Sequence, residues 1–288
     1  MKITTKKKGN RRYFYLKHSY RKGNKIITRE KYLGSEIPKN IEEITKNFKE
    51  EVRKSLYKKL ELIKKNFQEE WKKIPESVKK KEKEEISIAF TYNTNAIEGS
   101  TITLEEARGI IHDKIAPNKQ LRDIRETEAH SKVFLKMLDK KEKISNELLL
   151  KWHNEIFAET KQDVAGKYRD YLVRIGTHLP PDWQEVKKMM DGLIIFINEN
   201  KKMNPVELAG RIHYKFEKIH PFGDGNGRIG RLLMNSILWH SKYPMLIIEY
   251  TKRKSYYKSL KKDEEGFLAY FIRRYLAVHK NRISSKSL

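Results

Sequence analysis

From Ile41 onward, apolar residues return every three or four positions: Ile41, Ile44, Phe48, Val52, Leu56, Leu60, Ile63, Phe67, Trp71 and Ile74, with Lys and Glu between them. That spacing lays one apolar stripe along a helix, and Pro75 ends it. The stripe has two readings: a face packed on the main body, or a face that pairs with a second copy to make a homodimer. The first 35 residues follow another pattern. Tyr13, Phe14, Tyr15 and Leu16 precede a polar stretch holding Gly23-Asn24, and Ile26-Ile27-Thr28 runs on to Tyr32-Leu33-Gly34. Aromatic and β-branched clusters around a Gly turn predict a small β-hairpin.

Beyond Pro75 the helical period continues. A helix is expected from near Ser77 to Glu98, stopped by Gly99. Thr103 caps a helix opening with Leu104-Glu105-Glu106, and Ser145 caps one over 146–157, with another over 122–139 between them. The stretch 167–176 reads as extended, a second hairpin. Pro180-Pro181-Asp182 opens a helix to about Asn198, and Asn204-Pro205 opens one to about Ile219. After a glycine-rich loop at 221–227 a helix resumes at Arg228, with Ile229, Leu232, Leu233 and Ile237 on one face; two more fill 251–281. Strands do not alternate with helices, so a parallel sheet is not expected. The fold is read as mostly α with two short β excursions.

Composition narrows the function classes. There is no Cys, which excludes disulfides, Cys-ligated zinc, iron–sulfur clusters and thiol catalysis. No apolar run reaches the roughly 20 residues of a membrane span, and the Lys-rich start lacks the apolar stretch of a secretory signal, so a cytoplasmic protein is the economical reading. The net charge is +25, a reason to consider nucleic acid or another polyanion as partner. Its distribution is uneven. Residues 1–50 hold 15 basic against 5 acidic side chains and 251–288 hold 11 against 3, whereas 151–200 hold 7 against 8. The middle is neutral and the ends are basic, so contact with nucleic acid would run through the termini.

The segment richest in chemistry is His220-Pro221-Phe222-Gly223-Asp224-Gly225-Asn226-Gly227-Arg228-Ile229-Gly230-Arg231. Its glycines bring backbone N–H groups close to a ligand, and the loop feeds into a helix N-terminus, which makes it an anion nest. Arg228 and Arg231, three apart, lie on one face of that helix and suit a di- or triphosphate. Asp224 alone would repel such a ligand, and a Mg²⁺ between it and the phosphates removes the conflict. His220 is the side chain there that takes a proton near neutral pH, the natural general base.

These twelve residues resemble the Fic motif, HxFx(D/E)GNGRxxR, at every fixed position; chance recurrence is on the order of 10⁻¹⁰ per start position. The resemblance covers roughly 91–280 and implies a mostly helical Fic-type bundle with a short β-hairpin flap. It divides the chain into a small basic β-hairpin element at 1–36, a helical N-terminal region at 37–90, the catalytic domain at 91–280 and a basic tail at 281–288. The implied activity is transfer of AMP from ATP to a Ser, Thr or Tyr hydroxyl of a target protein, or of the enzyme itself. His220 would deprotonate the hydroxyl and Asp224 hold Mg²⁺. Gly225, Asn226 and Gly227 would form the anion hole, Arg228 and Arg231 bind the β- and γ-phosphates, and Phe222 anchor the loop.

Thr94-Asn95-Ala96-Ile97-Glu98-Gly99 resembles the family's inhibitory motif, (S/T)xxxE(G/N), so that Glu98, with Thr94, would occupy Arg231 in an autoinhibited enzyme. The plain alternative is that Glu98 is a solvated side chain before a helix-ending Gly. The resemblance assigns the flap to 167–176, with Ile175 and His178 touching the target, and Tyr257 to the neighbourhood of the adenine; hairpin filler and core aromatics are the plain alternatives. Two other readings stand: removal of AMP, or transfer of another nucleotide moiety, and a nucleic-acid-binding regulator built on a Fic scaffold.

Overall fold

The structure is a computed structural model that describes residues 1–22, 25–176 and 179–284. The chain forms two compact units, 1–62 and 63–288.

The first unit holds a three-stranded antiparallel sheet, β1 (Lys2–Lys8), β2 (Arg11–Lys22) and β3 (Lys25–Gly34), in that order. A hairpin was expected from 13–34; β1 is the addition. Four of its seven residues are Lys and one is Ile, so it shows no apolar alternation to read. It pairs through its backbone, Thr4 opposite Tyr15 and Lys6 opposite Tyr13, and its Lys side chains guard a sheet edge. The expected turn residues Gly23 and Asn24 lie outside the described residues. Helix α1 (Ile41–Lys73) realises the long stripe. In this unit Leu16, Leu33 and Phe48 are buried together, with Phe14, Ile41, Ile44 and Val52 packed on them.

The second unit is helical. After the end of α1 come α2 (Glu76–Ile97), α3 (Leu104–Arg108), α4 (Leu121–Asp139), α5 (Asn146–Phe157), α6 (Trp183–Glu199), α7 (Pro205–Ile219) and α8 (Asn226–His240). Then follow α9 (Arg253–Leu260), α10 (Glu264–Val278) and the short α11 (Asn281–Ser284). The expected caps are in place. Thr103 and Glu106 make a reciprocal capping box, and Ser145, Asp182 and Asn204 each accept a backbone N–H of their helix. Gly99 follows α2 with φ +95, a value that stops a helix and that Gly adopts without a Cβ clash. After α3 the chain widens into one π-helical turn at Gly109–Asp113. Helix α8 is the axis of this unit, buried from Asn226 through Leu238 and touched by α2, α4, α5 and α7. Among the described residues no helix is long and apolar enough to cross a membrane.

Burial has left several histidines neutral in the core. His130 and His213 are pushed down to about 3, and His153, His220 and His279 to about 4, each first by loss of hydration. Unfolded, each titrates near its ordinary 6.5, so between 6.5 and 4 the unfolded chain binds protons that the folded chain refuses. Stability therefore falls with falling pH across that window, each group approaching about 1.4 kcal/mol per pH unit. The melting temperature is expected to hold from pH 8 to 7 and drop steeply from pH 6.5 to 4.5. A flat profile to pH 4.5 would contradict buried neutral rings.

Candidate active site

Pro221 disfavours the α conformation at the residue before it, so α7 must end at His220. His220 takes the left-handed conformation instead, φ 50 and ψ 62, an arrangement rare outside Gly and Asn. Arg169 holds it there from beneath. Its backbone N–H donates to the Pro221 carbonyl at 2.9 Å, its Nε to the His220 carbonyl at 2.9 Å, and its Nη2 to the Pro181 carbonyl at 2.6 Å. Phe222 is wholly buried, stacked on the His153 ring at 3.9 Å. The Gly166 N–H donates to His153 Nδ1, which leaves the proton on Nε2 to donate to the Asp224 carbonyl at 3.0 Å.

Asn226 closes the loop. Its Oδ1 accepts from Phe222 N–H and its Nδ2 donates to the Phe222 carbonyl, both at 2.8 Å. Its side chain thus clamps the loop, so what 226–227 can offer an anion is backbone N–H. Gly225 adopts φ +77, and a Cβ there would lie 2.4 Å from the Phe157 ring. At Gly227 a Cβ would lie 2.1 Å from Glu98 Oε1 and 2.8 Å from Arg231 Nη1. The Glu98 carboxylate therefore rests directly on the nest, at the positive end of α8.

Arg231 is 1 % exposed and bonded to the end of α2. Its Nε donates to Thr94 Oγ1 at 2.6 Å, and its Nη2 to the Thr94 carbonyl at 3.1 Å and to Glu98 Oε1 at 2.6 Å. Its Nη1 is buried without a hydrogen-bond partner among the described residues. A buried, unpaired guanidinium N–H beside a nest is a donor set lacking its anion. Glu217 lies behind it, its carboxyl pushed up to about 7 by burial although Arg231 pulls the other way.

Arg228 pairs with Glu126 of α4, a buried carboxylate that also accepts from Lys161 Nζ at 2.5 Å and Thr160 Oγ1 at 2.9 Å. Lys161 Nζ reaches on to Asp224 Oδ2 at 3.2 Å, and Asp224 Oδ1 accepts Gly225 N–H at 2.5 Å. The Asp224 side chain is about half exposed at the loop mouth, and Arg228 with Lys161 holds its carboxyl below the usual range although burial works against them. No group of three or more His, Asp or Glu converges on one point among the described residues. One ionised carboxylate beside a phosphate nest fits Mg²⁺, which keeps most of its shell as water and phosphate oxygen. Glu126 and Lys161 escaped the sequence reading. The signal for Glu126 was its place one, two turns before His130 and Phe134 on the apolar face of α4, where a lone carboxylate needs a partner. Removing it strands Arg228. Glu126→Ala is expected to cost about 3–5 kcal/mol in chemical denaturation, and an unchanged midpoint would refute the pairing.

The other expected residues are placed as follows. Tyr257 Oη donates to the Ile97 carbonyl at 3.0 Å, so it holds the last turn of α2, while its neighbour Tyr256 is buried against His213 Nε2 at 2.7 Å. Among the described residues the stretch 167–176 is irregular, with a single β-bridge residue at Ile175 and no strand. The hairpin expected there is not seen among the described residues, where Arg169 instead bonds the carbonyls of His220 and Pro221. Ile175 is exposed, and His178 lies outside the described residues.

A family model described as Fic/DOC family matches residues 143–238. Protein adenylyltransferase Fic of Nematostella vectensis is 35 % identical over 189 residues, covering 63 % of this chain and 44 % of that protein. The Drosophila ananassae protein of the same name is 32 % identical over 200 residues, 67 % of this chain and 40 % of that one. The chain thus spans less than half the length of these curated relatives. Among solved structures, Fic-1 of C. elegans superposes with a TM-score of 0.68 at 25 % identity, covering 84 % of this chain and 75 % of that one. A Fic-domain signalling protein of Bacteroides thetaiotaomicron does so at 0.65 and 24 % identity, covering 81 % and 99 %.

Proposed function

The chain belongs to the Fic/DOC family, and from that premise we propose that it is an autoinhibited protein adenylyltransferase, taking ATP and a hydroxyl side chain of a target protein or of itself. One observation supports the reading: Glu98, bonded to buried Arg231 whose Nη1 is unpaired among the described residues, lies against Gly227 at the start of α8, and its charge acts on His220.

The triphosphate lies in the nest, its negative charge met by the N–H groups of α8 and by Arg228 and Arg231. Burial pushes His220 down to about 4, so at neutral pH its ring is unprotonated and available to accept the proton of the attacking hydroxyl. The hydroxyl oxygen bonds to the α-phosphorus as the bond to the bridging oxygen of the β-phosphate breaks, and pyrophosphate leaves with the second electron pair. Asp224 would hold Mg²⁺, which would supply positive charge to the phosphates. Positioning and fixed charge do the rest. In the closed arrangement Glu98 covers the nest and takes Arg231, so triphosphate and Glu98 compete for one cation.

Transfer is tested with ATP labelled on the α- or on the γ-phosphate, using the Glu98→Gly protein and Mg²⁺. Label is expected in protein from α-labelled ATP alone; incorporation from the γ position would mean phosphoryl transfer and overturn the reading. In the same background, Gly227→Ala plants a methyl group in the nest. ATP affinity by calorimetry is expected to fall at least about tenfold, the loss of roughly one charge-assisted hydrogen bond, and unchanged affinity would place the phosphates elsewhere.

A further inference from the structure

The sheet of the N-terminal unit has two unlike faces. The face of Phe14, Leu16 and Leu33 is turned to α1, where Arg29 Nη2 donates to Ser55 Oγ at 3.1 Å and Lys31 pairs with Glu51 at 3.9 Å. Residues paired directly across strands share a face. The pairs Lys2 with Lys17, Thr4 with Tyr15, Lys6 with Tyr13, Lys8 with Arg11, and Tyr15 with Tyr32 therefore all stand on the opposite, solvated face.

That face joins three tyrosines to a field of cations. Tyr32 is 56 % exposed and its ring centroid lies 5.4 Å from that of Tyr15 and 6.1 Å from that of Tyr13. Lys6 Nζ sits 4.6 Å above the Tyr15 ring and bonds Glu30 at 2.5 Å; Lys17 meets the same Glu30 at 3.6 Å. Glu30 is the sole acidic residue of the first 35, against 12 Lys and Arg. Cross-strand ring contacts alone would account for the tyrosines, but they account for none of the charge, and such an excess on one small sheet repels itself unless a polyanion is bound.

The choice of polyanion follows from the shape. Among the described residues of 1–34 the exposed large aliphatic side chains are Met1 and Ile3, and Ile3 pairs with Leu16 on the other face; the described side chains of the tyrosine face are aromatic, charged or hydroxyl-bearing, which suits a polyanion better than insertion into a lipid surface. A flat face of π-surfaces between cations suits unpaired bases, which stack on aromatic rings while their phosphates meet Lys and Arg; a paired duplex keeps its base faces covered. We propose that the solvated face of β1–β3 binds single-stranded nucleic acid. Bases stack on Tyr32 with Tyr13 and Tyr15 beside it, and Lys2 and Arg11 hold phosphates. The site is independent of the transfer reaction and survives its failure.

The test uses the full chain and fluorescence anisotropy with labelled oligothymidylate and oligouridylate of about 15 nucleotides, the upper range for one small β module. Both are expected to bind, with log affinity falling linearly against log salt by about 0.7 for each phosphate neutralised. Tyr32→Ala is expected to weaken binding roughly tenfold and Tyr32→Phe to leave it nearly unchanged, because stacking needs the ring and not the hydroxyl. Lys2→Gln with Arg11→Gln is expected to flatten the salt slope by about 1.4. Circular dichroism and melting of each variant report the fold. The proposal is overturned if no oligonucleotide binds at low salt, if folded Tyr32→Ala binds like the parent, or if a duplex of the same length or vesicles rich in phosphatidylserine bind more tightly than the single strands.

Discussion

His220→Ala is expected to lower AMP transfer by roughly 10²–10⁴-fold, the usual contribution of a positioned general base. The effect is best read in the Glu98→Gly background, where the nest is open. Burial keeps the imidazole unprotonated, and Arg169 fixes the backbone that carries it. Alanine removes the proton acceptor and leaves the nest intact, so ATP affinity should change little while turnover collapses. A left-handed φ of 50 also burdens alanine with about 1–2 kcal/mol. His220→Asn separates the two effects, since Asn tolerates that conformation yet accepts no proton near neutral pH. Turnover should be lost in both variants, with the fold better kept in the Asn protein. Retained transfer in either would remove His220 from the reaction.

Glu98→Gly is expected to raise transfer, by roughly 5- to 150-fold if the coupling between carboxylate and nucleotide has the usual size of a regulatory interaction. The geometry states why. Glu98 Oε1 bonds Arg231 Nη2 at 2.6 Å and stands where a Cβ on Gly227 would clash, so it fills the nest and neutralises the cation meant for phosphate. Its removal leaves Arg231 held by Thr94 through Nε and Nη2, a geometry that keeps the guanidinium aimed. Arg231 is buried, so losing Glu98 leaves its charge uncompensated and should cost some stability, offset in part by the two bonds to Thr94. Thr94→Ala should then erode the gain, since Arg231 keeps the Thr94 carbonyl but loses the Oγ1 that aims its Nε.

Much of this was written locally in the chain. The long stripe from Ile41, the stop at Gly99 and the caps Thr103, Ser145, Asp182 and Asn204 carry their structures in their own side chains. The 220–231 loop is equally local: Pro221 ends α7, Phe222 points inward and Asn226 folds back on Phe222 within five residues. What stayed hidden depends on distant partners. Lys161 reads as a surface lysine until α4 brings Glu126 to it, and Arg169 reads as strand filler until the His220 carbonyl arrives. Strand β1 is held by backbone pairing with a side-chain pattern that says nothing of a sheet. The sequence of 167–176 does not tell whether it pairs with a strand or is tethered by one arginine, and the tether through Arg169 is what the described residues show.

Intact-mass spectrometry of the Glu98→Gly protein after incubation with ATP and Mg²⁺ tests the central claim most directly. The protein itself, or an added pool of hydroxyl-bearing acceptor proteins, should gain the mass of one AMP moiety. The gain should vanish in Glu98→Gly with His220→Ala and be much smaller with Glu98 in place. A correctly folded Glu98→Gly protein that binds ATP yet adds no AMP to itself or to any acceptor would contradict the account.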